Sequence, residues 1–281
     1  MKLARFTTGG ADELGAVEGD RVIALTGLAA DMTDLIARWS ALEAGARRMA
    51  KDAARALPLK DVKLLAPIAR PGKVMAIGLN YADHIAETGA QKPEHQTWFA
   101  KMGNAINGPF DDVVIPRLSH ATDYEAELVA VIGAGGKHIS KGDAPRAVFG
   151  YCCGNDVTER EWQRRTSQWI VGKSCDGHAP IGPWIVTADE VGDPHALGIR
   201  CLVNGETRQD SSTSHLIFNI WDQIAFLTEA MTLDPGDLLF TGTPNGVGMA
   251  MKPPQFLKAG DRMRVEIDRL GAIEARCVAE D

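Results

Sequence analysis

The chain has 281 residues, 45% apolar and 24% charged, with a formal net charge of −7. That balance suits a globular protein with a substantial core, built as one large domain or one with a small companion. The acidic excess without a basic run argues against nucleic acid, and no apolar stretch reaches the length of a membrane span, so neither partner is expected.

The opening Met-Lys-Leu-Ala-Arg-Phe-Thr-Thr lacks the apolar centre of a signal peptide. Residues 1 to 26 read as short strands, Leu3 to Thr7, Leu14 to Val17 and Arg21 to Ala24, with turns at Gly9-Gly10 and Gly19-Asp20. Residues 31 to 57 read as one helix, with Asp31 or Thr33 as cap, apolar positions at Leu35, Ile36, Trp39, Leu42 and Met49, and Pro58 as the stop. The Pro67 to Gly72 stretch places a boundary near residue 70, giving a small N-terminal α+β domain (1–70) and a catalytic domain (71–281).

A short buried strand is expected from Lys73 to Gly78, then a helical segment from Tyr81 to Glu87 ended by Gly89. Residues 90 to 112 look polar and irregular. Residues 122 to 133 alternate, so a strand is expected there that puts Glu125, Glu127, Val129 and Val131 on one face. The apolar run from Val148 to Gly154 predicts a core strand ending near Asp156. Strands follow at Ile181 to Thr187 and Gly198 to Val203, with a hairpin turn at Asn204-Gly205. His215 to Met231 carries helical spacing, Asp237 to Thr241 reads as a strand, and Asp261 to Val278 as two strands around Leu270-Gly271. The predicted fold class is therefore α+β, mainly β. The five cysteines, Cys152, Cys153, Cys175, Cys201 and Cys277, are odd in number and form no Cys-x-x-Cys. They read as reduced thiols of a cytoplasmic protein.

Two carboxylates on one half-buried strand face repel each other, and burying even one unpaired is costly. A cation, a shared proton or a basic partner must relieve Glu125 and Glu127. Hard divalent ions favour oxygen ligands, and Asp156 is the best third ligand; Mg²⁺ is the first choice, Mn²⁺ or Ca²⁺ the others. The competing reading is a solvated acidic face with Asp156 as a cap. His84 and Glu87 are three apart on a helical segment, an arrangement that orients a general base, or else a surface pair at a helix end. Lys173, bracketed by Gly172 and a loop, suits an anion or a developing enolate, or else is a solvated charge. Arg160 and Gln163, one turn apart, suit a carboxylate, or else lie on a surface helix. The Gly-rich loop from Thr241 to Gly248 lacks the Lys-Ser/Thr of a phosphate loop, but its amides and Thr243 could hold a substrate carboxylate.

Six stretches in order change the picture: Gly78-Leu79-Asn80-Tyr81-Ala82-Asp83-His84, Asp123-Tyr124-Glu125-Ala126-Glu127-Leu128, Gly154-Asn155-Asp156-Val157-Thr158, Gly172-Lys173-Ser174, Asn204-Gly205-Glu206 with Gln209, and Thr241 to Gly248. With them the chain resembles the fumarylacetoacetate hydrolase family from about residue 72 to 278, and residues 1 to about 70 resemble the small N-terminal domain of its longer bacterial members. The resemblance implies a mixed β-roll catalytic domain and a homodimer. It implies a divalent ion on Glu125, Glu127 and Asp156, and a water-activating His84–Glu87 dyad on a lid. Lys173 would stabilise charge, and Arg160, Gln163, Thr243, Tyr81 and Gln209 would contact substrate. The activity it implies is hydrolysis of the C3–C4 bond of a 2,4-diketo acid, acylpyruvate in type or derived from a sugar acid, to pyruvate and a carboxylic acid. Decarboxylation, isomerisation or ureidoglycolate lyase chemistry on the same site, or metal-stabilised binding without turnover, are the alternatives. One departure stands out: many relatives carry aromatic or Thr-Phe residues after the aspartate that follows the lysine, whereas Asp176 here precedes Gly177-His178. His178 therefore faces a polar substrate or fills a turn.

Overall fold

The computed structural model describes residues 1–88 and 91–281. The chain is mainly β, as its alternating runs require. A twelve-stranded mixed sheet is the backbone of the molecule. Strand Ala126–Ile132 lies in its middle, antiparallel to Val148–Asn155 on one side and to Leu238–Phe240 on the other. Leu238–Phe240 continues into Val74–Gly78 and then Thr97–Ala100. In the other direction Val148–Asn155 pairs with Ala179–Thr187, and that strand pairs with Lys2–Thr7 from the start of the chain (Leu3 opposite Ile185). The N-terminal strands thus extend the same sheet.

The Ala126–Ile132 strand is buried along its whole length, and its two faces serve two cores. Ala126, Leu128, Ala130 and Ile132 pack on Ile199, Cys201, Val265 and Ile273 of a second, five-stranded sheet. Val129 and Val131 turn the other way, onto Met32, Leu35 and Ile36 of the N-terminal helices. Each large aliphatic side chain buried this way contributes about 1.5–3 kcal/mol. This period-two split is the alternation that the sequence carries.

The long expected N-terminal helix is broken. It runs Met32–Ala37 and Trp39–Met49, with Asp31 capping the first part through the amide of Asp34. It stops well short of residue 57 because Asp52 caps a new 3₁₀ turn, accepting from Ala54, after which Ala56–Pro58 joins the sheet. The helix expected from His215 begins only at Ile220, where Asn219 accepts from the amide of Asp222; Thr213–His215 is a separate 3₁₀ turn. Residues 97 to 100, expected to be irregular, form the strand Thr97–Ala100. The helix over Ala82–Thr88 is present, while the stop expected at Gly89 lies outside the described residues. The hairpin at Asn204-Gly205 joins Gly198–Val203 to Glu206–Ser212 as expected. Among the described residues no helix is long and apolar enough to cross a membrane.

Candidate active site

The register of two strands builds the centre. Ala126 faces Asn155, and the amide of Asp156 donates to the carbonyl of Glu125 at 2.9 Å, so the chain leaves one strand where it enters the other. Glu125, Glu127 and Asp156 are all buried, and each offers a carboxylate oxygen within 4.8 Å of the others. The three side chains that are 31 residues apart at the extremes of the sequence converge because the strands are antiparallel neighbours.

Three cations surround the cluster. Lys173 Nζ donates to Glu125 Oε2 at 2.7 Å and to Asp156 Oδ2 at 2.6 Å. Arg160 Nη2 lies 2.6 Å from Glu125 Oε1, and its Nε donates to Asp123 Oδ2 at 2.9 Å. Lys101, which the sequence reading overlooked, donates to Asp156 Oδ1 at 2.6 Å and to the carbonyl of Val157 at 3.2 Å. Its strand places it there: Ala100 pairs with Met75, and the amide of Lys101 continues the ladder onto Val74. The clue in the sequence is Thr97-Trp98-Phe99, a short β-prone run just before a lysine.

Two backbone approaches hold the cations and acids in position. The short helices Arg160–Gln163 and Ile170–Lys173 meet so closely that a Cβ on Gly172 would lie 2.3 Å from the amide nitrogen of Gln163. Gly242 has φ +105° with Asn80 against it, and its amide donates to Glu127 Oε2 at 2.7 Å.

Electrostatics divide the cluster. Burial would raise the Glu125 carboxyl, but Arg160 and Lys173 outweigh it and hold it at about 2. Glu127 goes the other way. Burial and then the charges of Asp156 and Glu125 push it well above the ordinary range, and the Gly242 amide offsets little of this. Burial opposes the charged form of Lys173, yet Asp156 and Glu125 raise it overall. Burial lowers Lys101 despite Asp156. Among the described residues, no cation pairs with Glu127. A divalent cation fits this set: the donors are all carboxylate oxygens, they already converge, and one of them lacks a positive partner.

The cluster opens into a cavity of about 320 Å³ lined by Glu125, Glu127, His84, Lys173, Arg160, Gln163 and Thr243, with Phe99, Trp169 and Met249 among the apolar walls. His84 is buried, and its Nδ1 lies 3.5 Å from Glu87 Oε2. Both oxygens of Glu87 accept from the amide of Gly246, at 3.0 and 3.1 Å. Two expected substrate contacts sit behind the wall instead. Gln209 accepts from the amide of Ala126 and donates to Thr243 Oγ1 at 2.8 Å, so it holds Thr243 in place. Tyr81 is fully buried off the cavity, its phenol kept protonated first by burial and then by the charges of Glu127 and Asp83. His178 fills a turn. It is buried, its Nε2 is 2.8 Å from the carbonyl of Val114, and burial lowers it to about 4.

Comparison with known proteins settles the lineage. Residues 73–278 match the family described as fumarylacetoacetate (FAA) hydrolase C-terminal, and residues 1–67 match Rv2993c-like, N-terminal. The chain belongs to the fumarylacetoacetate hydrolase family. The human mitochondrial oxaloacetate tautomerase FAHD2A is 43% identical over 244 residues, covering 86% of this chain and 78% of its own. A putative HpcE protein of Mycobacterium smegmatis superposes with a TM-score of 0.90 at 38% identity over the whole of both chains. Maleylpyruvate hydrolase from Sphingobium sp. SYK-6, solved with manganese(II) and pyruvate, gives 0.84 at 33%, again over the whole of both chains. The family holds enzymes, and its members near this chain include a hydrolase and a tautomerase.

Proposed function

We propose that this chain is a divalent-cation-dependent enzyme acting on a 2-oxo acid. Its reaction, in our reading, is hydrolysis of the C3–C4 bond of an acylpyruvate-type 2,4-diketo acid, with sugar-derived 2,4-diketo-3-deoxy acids in the same class. The observation that carries this is one cavity lined by His84 and by Glu125 and Glu127 of the three-carboxylate cluster, with Glu87 beside the imidazole. Glu125, Glu127 and Asp156 would hold the ion, Mg²⁺ by preference, which when bound supplies a Lewis acid for the carboxylate and oxo oxygens of the substrate.

The remaining work falls to the chain's own groups. His84 takes a proton from water, and Glu87 orients the ring and stabilises its charged form. The hydroxide formed adds to the C4 carbonyl carbon. The C3–C4 bond then breaks, C4 leaves as a carboxylic acid, and the electron pair stays on the 2-oxo fragment as an enolate. The ammonium of Lys173, fixed by Glu125 and Asp156, lies where it can stabilise that charge. Protonation at C3 gives pyruvate. Arg160, Gln163 and Thr243 orient the substrate from the same wall.

A second reading keeps the enolate and drops the water: keto–enol tautomerisation of a 2-oxo acid, with His84 moving a proton at C3. The 43% identity to an oxaloacetate tautomerase supports it. One experiment separates the two. Wild type and His84→Ala are assayed with Mg²⁺ and with EDTA, following pyruvate release from a panel of 2,4-diketo acids and the loss of enol absorbance from oxaloacetate. Pyruvate release that needs Mg²⁺ and His84 supports hydrolysis. Enol loss without pyruvate release from any diketo acid overturns hydrolysis in favour of tautomerisation.

We also infer that a second copy of the chain covers the face carrying Met102 and Val171, which are 51% and 64% exposed and are brought together by the bond from the Met102 amide to Ser174. Sedimentation velocity tests this: a monomer at micromolar concentration overturns it. The cysteines are free thiols, which fits a reducing compartment; we assign the cytoplasm, with the mitochondrion of the tautomerase relatives as the rival, and fractionation decides.

A further inference from the structure

The cavity has two chemically different ends. At the inner end lie Glu125 and Glu127, which among the described residues are the only acids lining it. The charge of Arg160, beside them, is balanced by Asp123 and Glu125. One helical turn further along, Arg164 lines the outer end of the same cavity. It is exposed, and no acid among the described residues pairs with it; its guanidinium donates to the thioether of Met249 at 3.8 Å. Gln163 and Thr166 line the wall close by and carry no charge. The next arginine differs: Arg165 stacks on Trp162 at 5.9 Å and does not line the cavity.

A surface arginine is usually just a solvated charge. Here, however, the charge stands at the mouth of a cavity whose inner end suits the oxo-acid head of a substrate, and no acid among the described residues neutralises it. Arginine in that position matches a planar carboxylate through paired N–H donors. We propose that Arg164 reads a second carboxylate, so that the preferred substrates are dicarboxylic 2-oxo acids and not 2-oxo acids ending in an alkyl or hydroxyalkyl group. The inference rests on the oxo-acid reading of the inner site given above.

Two unreactive probes test it by calorimetry with Mn²⁺ present. N-oxalylglycine carries an oxo-acid-like head and a terminal carboxylate; N-ethyloxamate carries the same head and a terminal methyl. Wild type should bind N-oxalylglycine about 10- to 100-fold more tightly, the range for a charge-assisted pair. Arg164→Gln should bring the two affinities within about twofold by weakening only N-oxalylglycine, and Arg165→Gln should leave both as in wild type. Equal affinities in wild type, or a preference that survives Arg164→Gln, overturn the proposal. Binding of neither probe overturns the oxo-acid reading itself, and this proposal with it.

Discussion

Lys101 and Lys173 grip the same carboxylate from its two oxygens: Lys101 Nζ is 2.6 Å from Asp156 Oδ1, and Lys173 Nζ is 2.6 Å from Oδ2. All three groups are buried, so Asp156 is fixed in direction before any substrate arrives. Removing one partner of a buried pair costs several kcal/mol. Lys101→Met should destabilise the metal-free protein by about 3 kcal/mol in urea unfolding, less than a full loss because Lys173 remains. Adding Mg²⁺ should recover more stability in the variant than in wild type, since the ion supplies the missing positive charge. An unchanged midpoint in Lys101→Met would show that the pair contributes nothing.

The two glutamates should give the metal-free protein opposite pH responses. Both have an ordinary value of 4.5. Glu125 sits at about 2 in the folded chain, so its contribution is present above pH 4.5 and fades as pH falls towards 2. Glu127 is raised, so above pH 4.5 the folded state holds a proton that the unfolded state has lost, and stability falls as pH rises towards the raised value. Glu127→Gln should flatten that alkaline fall while leaving the acidic arm in place, as read by urea midpoints across pH with EDTA present.

The same raised carboxyl makes ion uptake a proton-releasing event. Calorimetric titration of Mg²⁺ or Mn²⁺ in two buffers of different ionisation heat should report proton release from wild type below the raised value. Glu127→Gln should show weaker binding and no release. Equal release from both proteins would place the proton elsewhere.

Glu87 serves two partners, the His84 ring at 3.5 Å and the Gly246 amide at 3.0 and 3.1 Å. Glu87→Gln keeps an oxygen for the amide but loses the charge beside the imidazole. We expect kcat to fall about 10-fold or more with KM nearly unchanged, and His84→Asn to lose about 10²–10⁴-fold, the usual range for a general base. Steady-state kinetics on the best substrate check both; a Glu87→Gln enzyme at full kcat would remove the dyad.

Gly172→Ala tests the contact of the two short helices. A Cβ there would sit 2.3 Å from the Gln163 nitrogen and 2.7 Å from the Glu159 carbonyl oxygen, both backbone atoms that cannot swing aside. Overpacking of this kind costs about 1–3 kcal/mol, and here it would push Lys173 away from the Arg160 turn. Lower thermal stability together with a loss of turnover is the expected pair of results.

Much of the site was readable from residue order because strands write a simple code. Alternation put Glu125 and Glu127 on one face, and the apolar run before Asp156 announced a partner strand, so an antiparallel register was enough to bring the three together. Spacing singled out His84 with Glu87, and the Gly-bracketed loop singled out Lys173, each with a bland alternative; the family pattern favoured the functional reading. Lys101 escaped because Thr97–Ala100 is a four-residue strand inside a polar stretch, and a lone lysine after it carries no local sign of burial. Gln209 and Tyr81 were expected at the substrate, yet their positions depend on packing between the hairpin, the Gly-rich loop and the main sheet. No local pattern encodes that packing. The composition over residues 31 to 57 stays helical past Met49, yet a single cap at Asp52 redirects the chain.

The pairing of Lys2–Thr7 with Ala179–Thr187 has a practical result for anyone trimming this gene. Cutting away the first segment would strip a neighbour from a strand that also borders Val148–Asn155, leaving open amides and carbonyls along a raw border. A shortened product would look for a replacement on other molecules, so clumping, not a smaller working enzyme, is what such a deletion should yield.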